Sequence, residues 1–474
     1  MKKSLSVGVG LLVLASSAIA LSSCGKNPGK TIVLWGPREH EDLYKEAMEN
    51  YKKDHPDFEY DFEFQALGDA GANANIEKDV ESAGSLITFP NDQLISIKRM
   101  GALSKLTTND VTWAKEKHDG NSVESTKIGD GYYAYPISAD NGFVFIYNKA
   151  AFVDTDVWDN EKDSLIEGYT FRDLFKALDD KGDKWASGGK VIWPLGSAWY
   201  EAGVFFGTGC DYSVEYDDKG AQKSVTCNID DNEESLEAIR CMINTATNED
   251  GTWNNHFVFT DDSDPAYNDY VTAHTGNGEK AIDEPLAGII SWNNSALRDA
   301  YGENYRVAVL PTLSNDVGFK DFAPTKKAMY TWKSFSGYKL LGVNPMSPFA
   351  RAKDGNVEIL HQVAQYLSDE AVSLLRYDAT QMGPSNKAAA QSDKVKADKF
   401  LAALNEQFNL KDEAGNLIGV RTQDNTPSNF WEPIASVGKA IYESVSEGKP
   451  VLDSVANAKR KLKQVGNDIR ASAE

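Results

Sequence analysis

Between Ala134 and Lys149 the chain carries two apolar stretches separated by a polar, glycine-containing step, and this arrangement restricts its folds more than any other segment. Tyr135-Pro136-Ile137 reads as the end of one strand, because Pro136 has no backbone N–H to give to a ladder and the run must soon leave its sheet. Phe143-Val144-Phe145-Ile146-Tyr147 has the aromatic and β-branched composition of a buried strand. Ser138 to Gly142 lies between them, and Gly142 permits backbone angles that other residues avoid. Such a pair either bends within one domain or carries the chain from one lobe into another. With 474 residues the chain is too long for one ordinary core, so two or more lobes are expected.

The first third reads as the start of a mostly parallel sheet. Thr31 to Trp35 is a strand candidate, and Glu39 to Lys53 has helical spacing, with Leu43, Ala47, Met48 and Tyr51 on one face. Phe58, Tyr60, Phe62 and Phe64 alternate with Glu59, Asp61 and Glu63, the pattern of a half-buried strand. Strand, helix and strand in succession predict a βαβ unit. Ser85 to Phe89 is the next apolar run, and Asp92 to Met100 reads as a short helix stopped by Gly101. Ligands of such sheets bind beyond the carboxyl ends of the strands. Two strand ends carry suitable side chains: Trp35, Arg38 and Glu39 at one, Phe89 and Asp92 at the other.

Further along, Thr170-Phe171-Arg172-Asp173 has a capping-box-like start for a helix through Leu178. Trp199, Tyr200 and Glu201 follow the apolar run that ends at Trp193-Pro194. Cys210 and Cys227 flank an expected hairpin whose turn is Asp217-Asp218-Lys219-Gly220. A symmetric hairpin sets the two cysteines opposite each other, as a disulfide or as free buried thiols. Val357 to Leu367, Asp369 to Tyr377, Asn429 to about Val445 and the stretch after Lys449-Pro450 are expected helices.

Charge and motif content exclude several functions. A formal net charge of −22 argues against nucleic-acid binding and favours a soluble monomer. None of the six histidines forms a zinc-type pair at helical spacing, so neither metal nor other cofactor is expected. There is no Gly-x-Ser-x-Gly nucleophile elbow. Gly25 to Thr31 imitates a phosphate-binding loop, but its glycines are one residue too close and no strand precedes it. Carboxylates are plentiful, which leaves a paired-carboxylate glycoside hydrolase open; a surface adhesin is a third reading.

At the start, Lys2 and Lys3 precede an apolar stretch from Val7 to Leu21, too short and wrongly flanked for a spanning helix and typical of a secretory signal. Leu21-Ser22-Ser23-Cys24 resembles the lipobox of bacterial lipoproteins. The resemblance implies a signal peptide over 1–23, lipid on Cys24 and a polar tether over 24–30. Each buried methylene of such an anchor adds ~0.8 kcal/mol.

Tyr135-Pro136-Ile137 followed by Ile146-Tyr147-Asn148-Lys149 resembles the first lobe crossing of the maltose-binding protein family, the carbohydrate-binding, extracellular solute-binding proteins of ABC importers. Ala287-Gly288-Ile289-Ile290-Ser291-Trp292 resembles the family strand that ends in a sugar-stacking tryptophan. Val307 to Thr312, with Leu310-Pro311-Thr312, resembles the return crossing, and Asn429-Phe430-Trp431 resembles the place where the family presents a tryptophan to its ligand. The resemblance runs over nearly all of the mature chain. It implies an α/β, two-lobed, type II periplasmic-binding-protein fold with a hinge and an interlobe cleft. Lobe 1 is then 31–139 and 311–392, and lobe 2 is 140–310 and 393–474, with a third crossing near Ala390 to Lys399. The implied ligand set is Trp35, Arg38, Glu39, Phe89, Asp92, Asp140, Trp199, Tyr200, Glu201, Trp292 and Trp431, and the implied partners are a carbohydrate, ABC permease subunits and the membrane reached through the lipid anchor. Gln93 stands where relatives often carry an arginine, which puts maltose specificity in doubt.

Overall fold

The computed structural model describes residues 27–471 except 69–70, 218–220, 261–263, 354, 425 and 428. The expected signal segment and Cys24 lie outside the described residues.

The chain first lays down β1 (Thr31–Gly36), α1 (Glu41–Asp54), β2 (Asp61–Ala66) and β3 (Leu86–Pro90). β1 pairs in parallel with both β2 and β3, setting Trp35 beside Gln65 and Ile87. The expected strand over Phe58–Phe64 begins only at Asp61; Phe58 and Tyr60 instead pack on the core formed by α1. β4 (Tyr135–Asn141) and β5 (Val144–Asn148) follow, separated by Gly142 and Phe143 alone. The next part of the chain supplies α2 (Phe171–Lys181), β6 (Lys190–Trp193), α3 (Ala198–Gly207), α4 (Glu233–Ala246), β7 (Phe257–Phe259), β8 (Leu286–Ser291) and β9 (Tyr305–Ala308). Thr170 caps α2 as its spelling predicts, accepting from Asp173 N while Asp173 reaches back. The last third adds β10 (Ser334–Val343), α5 (Asn356–Ser368), α6 (Glu370–Thr380), α7 (Lys399–Phe408), β11 (Val420–Thr422), α8 (Trp431–Ser446) and α9 (Val451–Arg470).

These strands form two separate sheets. The first has the order β11-β10-β3-β1-β2, with β4 also paired to β10, and the second has the order β7-β6-β8-β5-β9. β4 and β5 are consecutive in the chain yet belong to different sheets, so the Gly142–Phe143 step joins two bodies. Each sheet is covered on both faces. On one face of the first, Tyr44, Ala47 and Met48 of α1 and Leu360, Val363 and Leu367 of α5 bury Ile32, Leu34 and Ile137. On its other face Ile87, Phe89 and Leu340 meet Ala72, Ile76, Leu94 and Ile97. Phe143, Phe145 and Tyr147 enter the large core of the second body, with α2, α3, α4, α8 and α9. Val144 and Ile146 point to the opposite face, where Phe400 and Leu404 of α7 cover them. That alternation is the period-2 signature of a strand buried on both sides; a fully buried side chain of this kind contributes ~1.5–3 kcal/mol.

Two expectations about the path of the chain need correction. The return at Pro311–Thr312 comes later: Leu313, Val317, Phe322 and Trp332 still lie in the second core, and the chain rejoins the first sheet only at Ser334. The reason is a fold-back after the proline, Leu313–Ser314 pairing with Met329–Tyr330, which is pinned to α4 by Arg240 Nε donating to Phe322 O at 3.1 Å. Within 393–474, assigned wholly to lobe 2, β11 re-enters the first sheet beside Ser334–Ser336. The third passage runs between Asn386, bridged to His118, and Phe400 in the second body.

The cysteine pairing is also corrected. The hairpin Tyr212–Tyr216/Gln222–Cys227 sets Tyr212, not Cys210, opposite Cys227. A bulge at Glu215/Tyr216 and an off-centre turn place Cys210 before the ladder. Cys210, Cys227 and Cys241 are free and buried, with Cys210 Sγ 3.3 Å from Ser235 Oγ. Burial pushes the Cys210 and Cys227 thiols up to about 11.

Candidate functional site: an aromatic surface beside a polar wall

β10 organises the site, because its first residues touch both bodies. Phe335 lies against Trp199 and Trp431, with ring centroids 5.4 Å and 5.5 Å apart, while Trp199 and Trp431 are 6.3 Å from each other. Trp199 stands in the first turn of α3 and Trp431 is the first residue of α8. Both are half-buried, packed on the second core along one edge and open along another. Trp292 follows the end of β8, is 38% exposed and stacks on Tyr200 at 6.2 Å. Two indole rings, each at the amino end of a helix, thus flank the start of β10, and a third, after the carboxyl end of a strand, adjoins them through Tyr200.

From the next residue of β10 onward the chemistry changes. Ser336 O accepts from Gln423 N. At Gly337 a Cβ would fall 2.2 Å from Gln423 Oε1, 2.8 Å from Asn91 Oδ1 and 3.2 Å from Asn141 Nδ2, so three amide groups converge where only glycine leaves room. Tyr338 N donates to Asn91 Oδ1 at 2.9 Å, and Asn91 Nδ2 donates to Asp424 Oδ1 at 2.7 Å. At ~3.3 Å per residue along a strand, Gly337, two residues on, is roughly 7 Å from Phe335. Asp92 belongs to this wall. Its carboxyl is covered although the residue as a whole is only half-buried, and Oδ1 has no hydrogen-bond partner. Burial pushes Asp92 up to about 7 against the opposing hydrogen bonds from its own and the Gln93 backbone N–H and from Gln423.

The sequence-predicted residues divide accordingly. Trp199 and Trp431 line the aromatic surface, Trp292 adjoins it through Tyr200, and Asp92 lies in the polar wall. Arg38 and Glu39 are exposed in the turn after β1, and Trp35 is half-buried with Nε1 donating to Gln65 Oε1 at 2.8 Å. Trp35 packs on the first body and Trp431 on the second. The side chain of Asp140 lies outside the described residues, although its backbone is part of β4.

Three members of the expected set are corrected. Phe89 is fully buried between β3 and β10, opposite Leu340, and is core. Tyr200 is fully buried and supports Trp292 from behind. Glu201 is fully buried between α3 and α8, where Oε1 accepts from Gly438 N at 2.9 Å. In each case residue type and position fit a ligand contact, but the rotation of the strand or helix turns the side chain inward. Conversely, Asn91, Phe335, Gln423 and Asp424 were not anticipated. The signal available for the last two was the short alternation Val420-Arg421-Thr422, which is β11.

Among the described residues no group of His, Cys, Asp and Glu side chains is placed to hold a metal ion, and no helix is long and apolar enough to cross a membrane.

Two α/β bodies joined by several chain passages, with an aromatic and polar site where they meet, define a two-lobed binding protein of the type II periplasmic class. The chain belongs to the family of bacterial extracellular solute-binding proteins, whose pattern it matches over residues 46–403. No curated protein matches it. Among solved structures it is similar to the maltodextrin-binding protein MalE1 from L. casei BL23 without ligand, at 18% identity over 93% of this chain and 100% of that one, with a TM-score of 0.64. It is similar also to the Thermus thermophilus maltotriose-binding protein bound with maltotriose, at 16% identity over 94% and 100% of the two chains and a TM-score of 0.60. A third, MalX from Streptococcus pneumoniae in complex with maltopentaose, shares 19% identity over 91% and 99%, with a TM-score of 0.60. At such identities the likeness establishes the fold.

Proposed function

We propose that this protein captures an oligosaccharide between its two lobes outside the cytoplasm and delivers it intact to the permease of an ABC importer, held to the outer face of the cell membrane by lipid on Cys24. The observation that carries the reading is the adjacency of the Trp199–Trp431–Trp292 surface and the Asn91–Asp92–Gln423–Asp424 wall. Sugars offer apolar faces to aromatic rings and a rim of hydroxyls to carboxylates and amides. The two sets belong to different lobes, so only a closed form makes both kinds of contact, and solute shifts the population toward closure. The solutes named in the similar structures, maltotriose and maltopentaose, are the first to try.

Calorimetric titration with a maltodextrin series and acarbose, followed by chromatography of the released sugar, tests this. Saturable binding with recovery of unaltered sugar is expected. Shortened products would establish a hydrolase, and binding of a peptide or polyamine with no response to any saccharide would refute the solute class. Replacing Cys24 with Ala is expected to release the protein from the membrane fraction; a variant that stays bound would refute the anchor.

A further inference from the structure

Side chains alternate across an extended segment. At the step between β4 and β5, Phe143 turns toward Trp199 and Tyr200, with centroids 6.2 Å and 4.9 Å away. A Cβ on the neighbouring Gly142 would instead lie 3.0 Å from Leu404 and 2.8 Å from Phe408 of α7. α7 therefore backs the step on the side opposite the aromatic surface. On this helix Gln407 is wholly buried and spends its amide on three backbone groups far apart in sequence. Its Oε1 accepts from Leu310 N at 2.8 Å, and its Nε2 donates to Trp332 O at 2.9 Å and to Gly419 O at 2.8 Å.

The positions of those three groups matter more than their number. Leu310 lies two residues past the end of β9, the edge strand of the second sheet. Trp332 precedes β10 by two residues, and Gly419 immediately precedes β11. Gly419 O also accepts from Ser334 N at 2.9 Å, so the starts of β10 and β11 meet at a single carbonyl that Gln407 holds. Both strands lead into the first sheet. A primary amide satisfies an N–H and two carbonyls at once: a carboxyl keeps the acceptor but, even when protonated, donates to one carbonyl at most, and a thioether donates to neither and accepts only weakly.

We propose that Gln407 is a positioning residue of the hinge. It fastens to the second lobe the starts of both strands that enter the first, so rotation of the lobes pivots beyond Ser334 and Val420. It thereby sets the balance of open and closed forms without touching solute. The consequence for affinity rests on solute capture by lobe closure; the consequence for the solute-free protein does not.

The test compares wild type with Gln407→Met and Gln407→Glu by small-angle X-ray scattering without solute, by thermal unfolding, and by titration with maltotriose. Both variants are expected to fold and to show a broader range of interlobe separations than wild type, the glutamate more so. If the closure-competent fraction falls to one-tenth, maltotriose binding weakens by about tenfold. Solute-free scattering identical to wild type in both variants would overturn the proposal. Wild type that does not bind maltotriose while the variants still broaden would count against that solute and leave the hinge assignment supported. Should neither variant fold, the Leu310 amide of wild type decides: exchange only through global unfolding is expected, and faster exchange through local opening would overturn the assignment.

Discussion

Glu201 gives the sharpest test of the burial argument, because its carboxyl is wholly enclosed and incompletely paired. One oxygen accepts from Gly438 N; the other, Oε2, has no partner. Gly438 sits within α8, where glycine costs roughly 1 kcal/mol relative to alanine. It is required there because a Cβ would fall 2.1 Å from Leu195 O and 2.6 Å from Glu201 Oε2. Burial outweighs the Gly438 bond and the charge of Lys439, and holds the Glu201 pKa well above 4.5. The folded chain therefore keeps this proton over a range where the unfolded chain has released it. Below pH 4.5 both states are protonated and nothing is lost. Above it the unfolded state binds fewer protons, and stability falls by ~1.4 kcal/mol per pH unit until the folded pKa is reached. Glu201→Gln keeps the shape and removes the titration. Urea unfolding of both proteins from pH 4 to pH 8 should give equal free energies at the acid end and a growing advantage for the glutamine variant toward neutrality. Parallel curves, or an advantage confined to low pH, would refute the reasoning.

Three further outcomes are expected. Trp431→Ala should retain the fold, since the ring is half-buried at the start of α8, and should weaken saccharide binding by roughly 2–4 kcal/mol in calorimetry, the range of strong aromatic anchors. Phe89→Ala should do the reverse, lowering unfolding free energy by ~3–5 kcal/mol through the cavity it leaves, with saccharide affinity unchanged in the protein that remains folded. Asp92 accepts hydrogen bonds better when ionised, so wild-type affinity for a hydroxylated solute should rise with pH through about 7, and titrations of Asp92→Asn should show no such rise.

How far each feature could be read from the sequence depended on the range of the interactions that decide it. The two sheets were legible because strands buried on both faces are written as local apolar runs, of which Phe143 to Tyr147 is the clearest, and because the matched segments follow one another in a fixed order. The hairpin between Cys210 and Cys227 was legible as a hairpin but not in register: a bulge and an off-centre turn together displace the ladder, and no local signal fixes them. The fold-back between Leu313 and Tyr330 was missed for a related reason. Leu310-Pro311-Thr312, expected at the return crossing, follows the end of an edge strand, and where the chain goes next is decided by contacts with α4, far away in sequence.

The candidate site was legible in part, and its failures share one cause. Trp199, Tyr200 and Glu201 are consecutive at the start of one helix, so each is rotated about 100° from the last. Three neighbours cannot all face the same surface. Only Trp199 keeps an open edge toward Trp431 and Phe335, while Tyr200 turns beneath Trp292 and Glu201 turns toward α8. Phe89 on β3 obeys the same rule with period 2: its side chain enters the core, and Asn91, two residues on and beyond the end of the strand, is freed to reach Tyr338 and Asp424. The strand that links these parts, β10, begins three residues before the apolar run from Gly337 to Val343. Its role follows from where it begins. Ser334 Oγ accepts from Phe143 N at 2.9 Å, so β10 starts at the very step by which the chain first leaves the first sheet. Phe335 then meets the aromatic rings of the second lobe, and Gly337 the amides of the first. Any relative rotation of the lobes that bends this strand between Ser334 and Gly337 changes the distance between the two halves of the candidate site.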